Sequence, residues 1–343
     1  MTSETALVPR FTIVIPTVNR ASLVRRALDS ALAQTYPDLE IIVSNNGSTD
    51  ETRAVLDRYE GSPRLRIFHR DETIPANPHG NFLLEQSRGE FFLGLSDDDW
   101  LEPTFAEKVV ALYDRNPEVS FVWTGCWMHY ADVAVPAATG PEVETAADFL
   151  AGFLANRRNI CWCACVTRTR DLRRIGPIPT EVICGDLFYW TKLAAFGPVG
   201  CVSEPVSHYV CYRDGGDGIA GGAPVLAWGR EMEHWASDIE RVAEHFVASP
   251  SDSAVLRRLA SRFVSRSTAN QFLWNALRGV SRASLALDLR RAVKFVPPYD
   301  PSPWIRVFAS LAAPRRVLRQ RVLAEARRRV KRVSPAPARK LLQ

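Results

Sequence analysis

FTIVIPTVNRASLVRRALDSALAQTYPDLEIIVSNN, residues 11–46, alternates between two hydrophobic periods, and that alternation decides the fold class. Phe11 to Pro16 is a β-branched apolar run stopped by proline, which reads as a buried strand. From Ala21 to Ala33, Leu23, Ala27, Leu28, Ala31 and Leu32 recur at helical spacing, and Tyr36-Pro37 ends the run. Leu39 to Val43 is a second strand. It leads into the polar loop Ser44-Asn-Asn-Gly-Ser-Thr-Asp50, where Thr49 or Asp50 can cap a second helix.

The pattern continues outward from this stretch. Strands are expected at Leu65 to Phe68 and Phe91 to Leu95, with a helix around Asn81 to Ser87 between them. The 91–95 run passes directly into Ser96-Asp-Asp-Asp-Trp100, and a helix opens at Pro103. Further strands are expected at Val119 to Trp123, Ile160 to Val166 and Val206 to Tyr212, with a helix from Asp186 to Phe196. Strand and helix alternating in this way predict an α/β fold with a mostly parallel sheet and helices on both faces. Ligands of such sheets sit beyond the carboxyl ends of the strands, so the loops at 45–50 and 96–99 should face one crevice. After Gly221-Gly the character changes to long helical patterns over 225–248, 253–278 and 281–295. A boundary near residue 220 follows, dividing an α/β domain, 1–220, from a helical region, 221–343.

The net charge of +5 conceals an asymmetry. Residues 301–343 carry twelve Lys and Arg against Glu325 alone, so this tail is +11 and the preceding 300 residues are −6. A basic tail beside a mildly acidic body suits an anionic surface or a solvated helix face. Seven cysteines are scattered through a chain large enough to do without disulfide staples, which fits a reduced, cytoplasmic protein. Cys161-Trp-Cys-Ala-Cys165 lacks a matching C-x-x-C or H-x-x-x-H partner and argues against structural zinc. Neither a leader segment nor an apolar run long enough to span a bilayer is read from the sequence.

Three consecutive aspartates at a strand end are costly unless something positive meets them. Carboxylate oxygens suit Mg2+ or Mn2+, which neutralise the charge on a departing diphosphate. Taken alone, the cluster reads equally as a group capping the next helix. Residues 11–52 followed by NFLLEQSRGEFFLGLSDDDWLEP, residues 81–103, resemble the opening half of the family 2 glycosyltransferases with the GT-A fold. The resemblance is strong over about 10–125 and weaker to about 215.

That resemblance implies an inverting, metal-dependent transfer of a sugar from a nucleoside diphosphate, UDP or dTDP being the expected carrier. The metal would fall to Asp98, with Asp99 or Asp97 adding a contact to metal or ribose; Ser96 stands where many members have their first aspartate. The acid that reads the base is replaced by Asn45-Asn46, whose amides still offer a donor and an acceptor. Pro16, Thr17 and Asn19 would line the same pocket, and Gly80 and Asn81 would approach base or phosphates. Asp186, in Ile183-Cys-Gly-Asp-Leu-Phe-Tyr-Trp190, matches the family's general base, although Gly185 stands in place of the usual neighbouring glutamate. Many relatives have a histidine after the last strand. Tyr212 stands there, with His208 and Arg213 as nearby candidates for a metal or diphosphate contact.

The acceptor is expected to be a glycan, a lipid-linked sugar or a small molecule. Residues 315–332 keep Val317, Leu318, Val322, Leu323 and Ala326 near one side of a basic helix, which suits peripheral contact with the inner face of a membrane or a cover for the enzyme body. Nucleic acid is excluded as a partner, because aromatic residues are not interleaved with these charges. A nucleotidyltransferase would need a Gly-rich basic loop after the first strand, where Pro16-Thr-Val-Asn-Arg20 has no glycine. A non-catalytic sugar-nucleotide-binding module would be indifferent to substitution of Asp186.

Overall fold

The computed structural model describes residues 8–130, 133–155, 157–158, 160–183, 185–211, 237, 254–263 and 265. The chain divides into two compact units, one of residues 1–145 with 159–210 and the other of 146–158 with 211–343. The boundary expected at 220, Tyr212, Arg213, the tail at 315–332 and most of the expected C-terminal helical region lie outside the described residues.

The first unit is organised on β1 (Phe11–Thr17). It pairs in parallel with β2 (Leu39–Asn46) on one side and β4 (Phe91–Gly94) on the other, and β2 pairs in parallel with β3 (Leu65–Arg70). The sheet continues through β9 (Cys165–Arg168), β6 (Phe121–Tyr130), β10 (Val199–Val210) and β5 (Trp100–Leu101), in the order β3-β2-β1-β4-β9-β6-β10-β5. Two short strands, β7 (Val133–Pro136) and β8 (Val143–Glu144), pair with β6 and β10. The sheet is mixed: β9 runs antiparallel to both β4 and β6, and β5 antiparallel to β10.

Alternation along the strands determines what each face buries. Phe11, Ile13 and Ile15 pack in one cluster with Val24, Ala27, Leu28 and Ala31 of α1 (Ala21–Leu32), and the cluster extends to Phe105, Val109 and Leu112 of α4 (Phe105–Arg115). Val14 and Ile42, at the intervening positions, are equally buried, and α3 (Ala76–Gln86) packs on β1 and β2. The short helix α2 (Thr52–Asp57) lies beside α1.

Two expectations are corrected in detail. The helix expected at 81–87 begins at Ala76, because Pro75 enters it with extended backbone and Pro78 falls within its first turn, where no amide donor is needed. The strand expected over 160–166 is confined to Cys165–Arg168: Trp162–Ala164 form a 3-10 turn, closed by the Ala164 amide on the Cys161 carbonyl. After β9 come α6 (Thr169–Ile175) and α7 (Gly185–Leu193).

In the second unit, α5 (Ala146–Leu154) and residues 254–263 are helical. Phe153 meets Phe263 at 5.6 Å between ring centroids. Among the described residues no helix is long and apolar enough to cross a membrane.

Candidate active site

The chain ends of β1, β2 and β4 place their loops together. Asn19 takes a left-handed conformation, φ 53°, one that asparagine tolerates better than most residues. Its Oδ1 accepts the Thr49 amide at 2.8 Å while its own amide donates to Ser48 Oγ at 2.8 Å. Asp50 accepts the amides of Ala21 and Thr52, serving the first turns of α1 and α2 together. Burial opposes its charge, but bonds from the Thr52 hydroxyl and these amides hold its carboxyl below the usual range.

Asn45 and Asn46, at the end of β2, are buried. Asn45 Oδ1 accepts the Ser48 amide at 3.0 Å, and its Nδ2 lies 3.3 Å from His69 Nδ1. Asn46 donates to the Ile74 carbonyl at 2.8 Å and accepts the Ile74 amide at 3.1 Å. Gly47 follows with φ 70°, and a Cβ there would come within 2.6 Å of the Glu72 and Thr73 backbone. Asn46 therefore holds the 71–75 loop against the end of β2, while Asn45 ties that end to Ser48 and to His69 of β3.

The aspartates at 97–99 diverge. Asp97 is buried, and its Oδ2 accepts the Thr17 hydroxyl at 2.7 Å. Burial raises its pKa to about 6, against the opposing pull of Thr17 and of the charge on Arg20. Arg20 Nη1 stands 2.8 Å from Asp98 Oδ2 and 3.5 Å from Asp97 Oδ1, so one guanidinium nitrogen serves both carboxylates. Asp99 turns elsewhere. Its Oδ1 accepts the Val210 amide at 2.9 Å and its Oδ2 is buried beside the Cys163 thiol, where burial and then the charge of Asp98 push the carboxyl well above its usual range.

Beyond Asp99, Trp100 carries the Arg26 guanidinium 3.8 Å from its ring centroid and stacks on His208 at 4.6 Å and 9°. Arg26 also donates to the Asp98 carbonyl at 2.6 Å. His208 uses both ring nitrogens, Nε2 at 2.8 Å from Glu102 Oε1 and Nδ1 at 3.0 Å from His129 Nε2. Both ring nitrogens of His208 are thus engaged by protein partners.

On the α3 side, Asn77 donates to the carbonyls of Pro179 and Val182, and Asn81 bonds both the amide and the carbonyl of Ile178. Asn81 thus steadies the segment that enters α7, whose first turn carries Asp186. Gly80 has open space where a Cβ would stand. Asp186 is half-buried, and its charge adds to the burial that drives the Cys165 thiol upward.

No group of three or more His, Cys, Asp or Glu among the described residues is placed to hold a metal ion. Asp97 and Asp98 offer two carboxylates, a donor set that Mg2+ or Mn2+ accepts when phosphate and water complete the shell. Their fit to a cation is visible in Arg20, whose positive charge both already share.

With this geometry in place, residues 12–131, spanning β1 to the end of β6, match the family described as Glycosyl transferase family 2. Over this stretch the chain is similar to the family 2 glycosyltransferases. Over 118 residues, 34% of the chain, it is 35% identical to the hyaluronan synthase of Pasteurella multocida, and the match takes in 12% of that protein's length. The chain therefore corresponds to a small part of such relatives. The structure of S. aureus TarS 1-349 in complex with UDP-GlcNAc superposes with a TM-score of 0.58 at 15% identity, over 83% of this chain and 89% of that one. The mannosyltransferase PcManGT of Pyrobaculum calidifontis, in complex with GDP-Man and Mn2+, gives 0.51 at 21% identity, over 90% of this chain and 86% of that one. These two likenesses show the fold, an α/β fold of the GT-A type.

Sequence reasoning missed four residues in this unit: Arg20, Asn77, His129 and Glu102. For Arg20 the available signal was its position in the loop after β1, one residue beyond Asn19. The other three gave none, because their partners are 79 to 106 positions away.

Proposed function

We propose that this chain transfers a sugar from a nucleoside diphosphate sugar to an acceptor hydroxyl, with inversion at the anomeric carbon. The observation that carries this reading is the Asp97–Asp98 pair, gathered on one cationic group at the carboxyl end of β4 inside the stretch that matches family 2. Residues 1–220 would form the catalytic domain and 221–343 a helical region.

In this reading Asp98, with Asp97 beside it, holds a divalent cation. Such a cation, Mn2+ or Mg2+, neutralises charge on the leaving diphosphate; the Mn2+ bound by the Pyrobaculum enzyme supports this assignment. Asp99, bonded to the Val210 amide, positions the aspartate loop and is omitted from the ligand set. Thr17 and Asn19 shape the floor of the nucleotide pocket with Pro16. Asn45, Asn46, Gly80 and Asn81 form its sides, largely by holding backbone in place, and Arg213 remains a proposed diphosphate contact. UDP or dTDP is the favoured carrier, and the UDP-GlcNAc bound by TarS supports UDP.

Asp186 takes the proton from the acceptor hydroxyl, whose oxygen attacks the anomeric carbon from the face opposite the diphosphate. A placed carboxylate contributes about 10²–10⁴ in rate by such proton removal. A second acid for the leaving oxygen is unnecessary, since a neutralised diphosphate leaves well. The acceptor class is a glycan, a lipid-linked sugar or a small molecule, and the basic stretch 315–332 suits a cytoplasmic enzyme working at an anionic membrane face.

The test is calorimetric titration of the chain with UDP, dTDP, GDP and CDP, each with and without Mn2+, repeated on Asp98→Ala. Tight Mn2+-dependent binding of one nucleotide, lost in the variant, is the expected result. Binding of none of them would overturn the reading.

A further inference from the structure

Arg20 is the residue on which the proposed metal pair converges, and the metal reading assigns it no role. Its Nη1 lies 2.8 Å from Asp98 Oδ2 and 3.5 Å from Asp97 Oδ1, in the space between two carboxylates that a divalent cation would also seek. The backbone of Arg20 is held firmly. Its amide donates to Thr52 Oγ1 at 3.1 Å, and its carbonyl accepts the amides of Leu23 and Val24 at 3.0 Å, opening α1. The side chain is a long lever on a fixed base, with 23% of its surface exposed.

The neighbouring arginine is committed differently. Arg26 stands over Trp100 with its guanidinium carbon 3.8 Å from the ring centroid and donates to the Asp98 backbone carbonyl, so it supports the loop. Asp97 is buried, its Oδ2 accepts the Thr17 hydroxyl, and its Oδ1 faces Arg20. Once a dication occupies the pair, the same guanidinium becomes a like charge a few ångströms away, in surroundings that screen it weakly. A planar cation with several donors then has its best alternative in a diphosphate, whose oxygens it can bond in pairs. Arg20 stands at the end of β1 and the start of α1, on the side of the sheet edge where ligands of this topology lie.

We propose that Arg20 is a positioning residue that exchanges partners: it holds Asp97 and Asp98 in the absence of ligand, and passes to the diphosphate when a divalent cation takes the carboxylates. Metal and nucleotide consequently bind as a coupled pair, each weakened without the other. The proposal rests on the donor-site reading given above. It adds that the coupling between the two ligands passes through one side chain.

The experiment measures Mn2+ affinity by electron paramagnetic resonance, with and without saturating nucleotide, for the wild-type chain, Arg20→Gln and Arg20→Lys. The nucleotide is whichever of UDP, dTDP, GDP and CDP the wild type binds. Arg20→Gln should bind Mn2+ alone about tenfold more tightly than wild type, and the factor by which nucleotide strengthens Mn2+ binding should fall at least tenfold. By reciprocity Mn2+ should strengthen nucleotide binding less by the same factor. Arg20→Lys keeps the charge without the paired donors, so its affinity for Mn2+ alone should stay near wild type while its coupling is reduced. That variant decides the matter if Arg20→Gln does not fold.

Equal or weaker binding of Mn2+ alone to Arg20→Gln, or unchanged coupling in both variants, would overturn the exchange while leaving the donor site intact. A wild type that binds neither Mn2+ nor any of the four nucleotides removes the glycosyltransferase reading and the exchange together. A merely structural arginine would lower thermal stability and leave the coupling factor where it was.

Discussion

Asn81 grips the backbone of Ile178 on both sides of its Cα, its Nδ2 donating to the Ile178 carbonyl at 2.9 Å and its Oδ1 accepting the Ile178 amide at 2.9 Å. The two residues are 97 positions apart, and the bond joins α3 to the segment entering α7. Asn77, one turn earlier, bonds the carbonyls of Pro179 and Val182 in the same segment. Asp186 therefore depends for its position on two amides from a distant helix.

Asn81→Ala should accordingly cost about 1–3 kcal/mol of stability, by leaving buried backbone groups unsatisfied. It should lower kcat while nucleotide affinity changes less than threefold. Chemical unfolding and calorimetric nucleotide titration check the two parts, and a loss of nucleotide affinity beyond tenfold would return Asn81 to direct ligand contact.

Asp186→Asn retains the size of the side chain and removes its basicity. Sugar transfer should fall about 10²–10⁴-fold in kcat, with Mn2+-dependent nucleotide binding unchanged. A binding module without catalysis would show no turnover to lose, so the wild-type rate in a coupled diphosphate-release assay comes first.

His79 is buried at the end of the sheet with Nε2 at 2.8 Å from Ser44 Oγ. Burial, assisted by the charge of Arg70, lowers its pKa to about 4. The folded state thus binds fewer protons than the unfolded chain between that value and the ordinary histidine value near 6.5. Stability is fully present above about pH 6.5 and is lost as pH falls toward 4, by about 3 kcal/mol for this group. Urea unfolding at pH 7 and pH 4.5 should show a shallower pH dependence for His79→Gln than for wild type.

Gly94 ends β4 directly beneath the Trp162 indole. A Cβ at 94 would stand 2.3 Å from Nε1 and 2.6 Å from Cε2 of that ring. Gly94→Ala should destabilise by about 1–3 kcal/mol through overpacking. The loss should shrink when Trp162→Leu is added, and a double-mutant cycle of unfolding free energies measures the coupling.

The first unit was largely legible from one dimension because its information is local. Phe11–Thr17, Ala21–Leu32 and Leu39–Asn46 fall within a few residues of the spans expected from period alone. Burial of one strand face or one helix stripe imposes that period on neighbouring residues. Cys161-Trp-Cys-Ala-Cys165 was misleading for the same reason. Its alternation suggested a strand, yet the indole of Trp162 seats over Gly94, 68 positions earlier, and the chain turns there instead.

The triple aspartate shows the division most plainly. Its place at a strand end was legible in the sequence, since a polar cluster directly after a β-branched and aromatic apolar run marks the exit from a buried strand. Side-chain direction did not follow. Asp97 went to Thr17 and Asp98 to Arg20, while Asp99 went to the Val210 amide, because each sought the nearest donor in a crevice built from β1, β10 and the loop between them and the aspartates. Local hydrophobic period determined the order of elements and where the strands end. The choice of partner for each charge belonged to the tertiary structure, because hydrogen bonds and burial act between atoms that are close in space and 78 to 111 positions apart along the chain.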